Sequence, residues 1–158
     1  MTKYYFEFLY INYGWRKLRI YFVFKIKEEY IELYKDTPNT LYNILNQMYY
    51  MKRNEIGYGF NLFNQMIDKI DKFELDKYLY ILLHTKMKYS KKGDEHILNN
   101  LYKDEISILK VKNTHMVINS NKSYTEFFVL LNQYNNDYFV CDFNNHDYFF
   151  LSGVNLLV

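Results

Sequence analysis

The densest set of groups able to hold a metal or carry acid–base chemistry is Cys141, Asp142, His146 and Asp147. Cys141 and Asp142 are neighbours in a stretch of high β-propensity, and adjacent strand residues point to opposite faces. They read as parts of a hairpin with a buried cysteine, not as co-ligands. His84, His96 and His115 follow no HExxH or repeated CxxC spacing and read as surface or capping residues. Nucleophilic catalysis would need a G-x-S-x-G elbow or a Cys–His signature, and neither is present. Gly57-Tyr58-Gly59 has no third glycine and no following Lys-Ser or Lys-Thr, which fits a helix-breaking turn better than a phosphate cradle. Asp94-Glu95 and Asp104-Glu105 sit at expected helix ends, where they suit solvation or dipole pairing. No catalytic site is visible, so no catalysis, metal or other cofactor is expected, and function should lie in binding.

Two stretches could bind. Basic and aromatic residues interleave at Trp15, Arg16, Lys17, Arg19 and Tyr21, and again at Tyr49, Tyr50, Lys52 and Arg53. A single-strand stacking groove would use this composition. Nearby Glu28, Glu29 and Glu32 and a net charge of only +2 argue against a polyanion partner, so direct nucleic-acid binding is not expected. Trp, Tyr and Arg are also the usual anchors of protein interfaces. Trp15, Arg19 and Tyr21 are therefore the first candidates for docking a protein, with core packing the competing reading for Trp15. Tyr50, Lys52 and Arg53 are the second set.

The elements that must position these residues follow from composition and pattern. At 158 residues the chain has the size of a single domain spanning 1–158. It contains 19 Tyr, 13 Phe and no alanine, a profile that AT-rich coding produces whatever the function, so aromatic abundance alone argues little. One cysteine, an N-terminal segment broken by Lys3, Glu7, Arg16 and Lys17, and no apolar run near the roughly 20 residues of a membrane span point to a cytoplasmic, monomeric protein without a membrane partner.

Tyr4 to Ile11 reads as a strand. Trp15 to Ile26 fits two patterns, alternation at Leu18, Ile20, Phe22, Phe24 and Ile26, and a helical stripe at Trp15, Leu18, Phe22 and Ile26. A helix from Lys27 must stop before Pro38. Thr40 is a candidate N-cap for a helix to about Lys52, Gly57 and Gly59 break the chain, and helices follow at Asn61 to Ile70 and Glu74 to Leu83. Lys86 to Asp94 reads as a surface loop and Glu95 to Tyr102 as a short helix. Ile106 to Ile118 is a hairpin about Lys112-Asn113-Thr114. Ser123 opens a capping box with Glu126 for a helix to about Gln133, and Tyr138 to Asp142 with Tyr148 to Leu151 forms a second hairpin. The fold class is α+β: an N-terminal strand, several helices, then a hairpin–helix–hairpin unit.

Thr125-Glu126-Phe127-Phe128-Val129-Leu130-Leu131, then Tyr138-Phe139-Val140-Cys141-Asp142-Phe143-Asn144, then Tyr148 and Leu151, resemble the close of the SirA family, the sporulation inhibitors of replication. Tyr4-Tyr5, Ile31-Glu32-Leu33-Tyr34-Lys35-Asp36 and Asp76-Lys77-Tyr78-Leu79-Tyr80-Ile81 are similar to earlier family segments, with extra residues between Tyr10 and Tyr30. The resemblance implies a protein without catalysis that binds the N-terminal domain of the replication initiator DnaA and blocks initiation as a cell commits to sporulation. It implies a partner surface in the first helix and just beyond, and it favours the helical reading of Trp15 to Lys35. A phage-type inhibitor of another host complex and a single-stranded nucleic-acid module are the alternatives.

Overall fold

The computed structural model describes residues 18–51 and 56–154. The strand expected at Tyr4 to Ile11 lies outside them, as do Trp15, Lys52 and Arg53. The described chain runs β1 (Arg19–Ile26), α1 (Glu28–Tyr34), α2 (Pro38–Tyr49), α3 (Ile56–Met66), β2 (Ile67–Asp68), α4 (Lys72–Leu83), β3 (Tyr89–Lys92), β4 (Glu95–Asn100), β5 (Glu105–Val111), β6 (Met116–Ser120), α5 (Glu126–Tyr134), β7 (Tyr138–Asp142), β8 (Asp147–Phe150) and a 3-10 turn at Leu151–Gly153. All strands join one antiparallel sheet in the order β3-β4-β5-β6-β1-β7-β8, with the short β2 paired to the end of β1.

β1 organises the molecule. It is central, so both of its faces are buried, and successive side chains enter opposite layers. Tyr21 and Val23 join Leu75, Leu79 and Leu83 of α4 and Phe127, Phe128 and Leu131 of α5 in one core. Phe24 and Ile26 join Leu41, Tyr42 and Leu45 of α2, Met66 of α3, and Phe139 and Cys141 of β7 in the other. The alternating reading of this stretch is the correct one, and the helical reading of Trp15 to Lys35 is wrong over Arg19–Ile26. A helix there would direct Tyr21 and Phe24 to one layer. The strand lets them serve two.

Several local expectations give way to tertiary pairing. Lys86 to Asp94 contains β3, and Glu95 to Tyr102 begins with β4, not a helix, because β3, β4 and β5 pair residue by residue from Tyr89↔Leu98 to Asn100↔Glu105. Gly93, at φ 60°, and Asp94 form the two-residue turn that joins β3 and β4. α2 starts three residues earlier than Thr40 implies, with Thr37 as N-cap and Pro38 in the first turn, where its missing N–H costs nothing. Gly57 and Gly59 lie inside α3. Gly59 packs against Met51, whose flexible side chain would have to shift to admit a Cβ 2.5 Å from its sulfur. The helix expected to reach Ile70 ends at Met66, where Ile67 turns to pair with Ile26. α5 is capped by Thr125, not Ser123, its Oγ1 accepting from Phe127 N at 3.2 Å. Both C-terminal hairpins form where expected.

Candidate protein-interaction surface

The sheet divides the expected binding residues. Arg19 and Tyr21 lie on the α4–α5 side of β1, with the Arg19 guanidinium 5.1 Å from the centre of the Tyr21 ring. Tyr21 has no exposed surface, and its hydroxyl donates to the carbonyls of Lys122 at 3.0 Å and Ser123 at 3.2 Å. Burial pushes the phenol up to about 12. The reading of Tyr21 as an exposed anchor is corrected, since it is a core residue. Arg19 is committed within the fold: Nε donates to Asp142 Oδ2 at 2.8 Å, Nη2 to Asp147 Oδ2 at 3.0 Å and Nη1 to Ser123 Oγ at 3.3 Å.

The same network disperses the possible metal ligands. Cys141 points into the α1–α3 core, where burial pushes its thiol up, and Asp142 lies buried under Arg19 on the other face. His146 Nδ1 sits 3.2 Å from the Tyr42 hydroxyl. Among the described residues no three His, Cys, Asp or Glu side chains converge as ligands. One arrangement does look like an acid–base relay. Tyr89 Oη lies 2.9 Å from His96 Nδ1, and His96 Nε2 lies 2.7 Å from Asp76 Oδ1. With Nε2 donating to the carboxylate, Nδ1 accepts from the phenol. Burial pushes Tyr89 up to about 12 and His96 down against the pull of Asp76, so the relay holds its protons in place and ties α4 to β3 and β4.

The opposite layer offers binding surface. α1 has Glu28 and Glu29 in its first turn, suited to the helix dipole, and buries none of its residues. Tyr30, Ile31 and Tyr34 pack only against the edge of the second core, the two tyrosine rings stacked at 6.5 Å. Leu33 is 62% exposed. At the end of α2, Tyr49 stacks on Phe143 at 4.5 Å, and Tyr50, 61% exposed, meets it edge-on at 4.9 Å. Beside them Phe22, Met48, Tyr49, Phe60 and His115 line an apolar cleft of about 280 Å³ between α2, α3 and the sheet. Burial and nearby Lys112 push His115 down to about 4, which leaves a neutral imidazole on that wall. Of the sequence candidates within the described residues, Tyr50 alone is an exposed aromatic. Tyr30, Leu33 and Tyr34 went unassigned because a helix of seven residues shows no clear stripe. The available signal was Leu33, apolar between Glu32 and Tyr34 and off the core-facing spacing.

The family model for the sporulation inhibitor of replication protein SirA matches residues 19–155. The chain belongs to the SirA family. No curated protein matches it. The SirA match opens on β1, so Tyr4-Tyr5 falls outside it, and the first strand of the matched region is Arg19–Ile26. The first helix of that region is α1. At the level of the family description, the chain is a sporulation inhibitor of replication.

Proposed function

We propose that this SirA-family chain is a non-catalytic, monomeric inhibitor that binds the N-terminal domain of the replication initiator DnaA and thereby blocks initiation during sporulation. The family match supports the biological setting. The docking surface rests on one observation: α1 buries none of its residues and displays Leu33, flanked by the half-buried Tyr30 and Tyr34. Exposed Glu28, Glu29 and Glu32 rim this face, which suits a partner patch that is apolar at its centre and basic at its edge. Tyr50, followed in sequence by Lys52 and Arg53, extends the proposed surface beyond the first helices. Arg19 and Tyr21 act behind it, as parts of the fold.

The test is calorimetric titration of the full chain with the DnaA N-terminal domain. The expected result is saturable one-to-one binding with a Kd of about 1 μM or tighter. No heat and no co-migration at concentrations of about 100 μM would remove DnaA as the partner.

A further inference from the structure

One end of the sheet carries exposed apolar side chains that neither core nor the α1 surface uses. Asn99 N donates to Lys88 O at 2.8 Å and Asn100 pairs with Glu105, so the approach to β3 runs beside the turn between β4 and β5. Met87 on the first and Tyr102 on the second are fully exposed, and Leu101 keeps 85% of its surface. The turn is locked. Asn100 Oδ1 accepts from Tyr102 N at 3.1 Å and Lys103 N at 3.3 Å. Asn121, after β6, donates to Asp104 O at 2.8 Å and accepts from Ile106 N at 2.9 Å. Leu101 and Tyr102 are therefore held away from the protein by a built turn, and Lys86, Lys103 and Lys122 stand on the same three loops against one exposed carboxylate, Asp104, which leaves them net basic.

We propose that this end docks peripherally on an anionic lipid bilayer, with Met87, Leu101 and Tyr102 entering the headgroup boundary and the lysines meeting acidic headgroups. The apolar groups project from separate loop tips and do not line a concavity. The cations are all lysines, which protein interfaces disfavour and anionic surfaces attract. Apolar insertion plus a basic rim supplies the two signals that stable peripheral binding needs. The sequence expectation of no membrane partner rested on the lack of a span. Among the described residues no helix is long and apolar enough to cross a bilayer, and peripheral docking requires none.

The experiment is sedimentation of the full chain with vesicles of phosphatidylcholine, with and without about 30% phosphatidylglycerol. Partitioning should be at least roughly tenfold stronger on the anionic vesicles and should weaken with salt. The triple variant Met87→Ser, Leu101→Ser, Tyr102→Ser should lose at least roughly tenfold in partitioning, and Lys103→Glu roughly fivefold or more. The thermal midpoint should be unchanged in both, because these side chains are exposed. Failure to sediment with anionic vesicles, or sedimentation of the triple variant like the parent, overturns the proposal.

Discussion

Asp142 has no exposed surface, and its carboxylate accepts from Arg19 Nε at 2.8 Å and Asn145 Nδ2 at 2.7 Å. Removing Arg19 leaves that charge buried with only the asparagine, a situation that costs about 3 kcal/mol. Arg19→Ala should therefore lower stability by about that amount in urea denaturation, and a midpoint like the parent's would contradict the assignment of Arg19 to the fold. Tyr21→Ala should cost about 4 kcal/mol through the cavity it leaves. His115 gives a pH signature. Its folded pKa, about 4, lies below the unfolded value near 6.5, so the fold favours the neutral ring. This contribution is complete above pH 6.5 and declines as pH falls toward 4, and His96 shifts in the same direction. Stability should fall between about pH 6.5 and 4, and His115→Gln should flatten that slope. A slope unchanged by the substitution would assign it to other groups.

At the scale of elements, α5 shows how a helix start is specified by more than its own sequence. Thr125 Oγ1 donates to Glu105 Oε1 at 2.7 Å while accepting from Phe127 N, and the same carboxylate oxygen accepts from Glu126 N at 3.0 Å and Ser107 Oγ at 2.7 Å. Thr125→Ala removes the cap and one partner of a buried carboxylate, and should destabilise by about 2 kcal/mol, measured by chemical denaturation. A change under about 0.5 kcal/mol would show that Glu105 can hold α5 alone. The helix itself was legible from Phe127, Phe128, Leu130 and Leu131, but its cap was not. Ser123 and Thr125 are both good cap residues, and the choice depends on Glu105, which lies 20 residues away in sequence. Both C-terminal hairpins were legible from alternation and turn residues. β4 was not, because Glu95-His96-Ile97-Leu98 is too short an apolar run to separate strand from helix without its partners. The Gly93-Asp94 turn carried the missing information.

At the scale of the whole molecule, one sheet separates two layers with different roles. α4 and α5 cover one face and bury the charged and hydroxyl groups that fix the sheet's end, while α1, α2 and α3 cover the other and leave aromatic surface exposed. The strand pattern of Arg19–Ile26 held the key to this division, since it assigns Arg19 and Tyr21 to one layer and Phe22 and Phe24 to the other. Its reading stayed ambiguous because a central strand is apolar on both faces. The central claim is that a member of the SirA family inhibits through the α1 layer. Its most direct test is titration of the DnaA N-terminal domain with the parent chain and with the variant Leu33→Asp, alongside thermal melts of both. The account predicts at least about a thirtyfold loss of affinity with the midpoint within a few degrees of the parent. Equal affinity for parent and variant would contradict it.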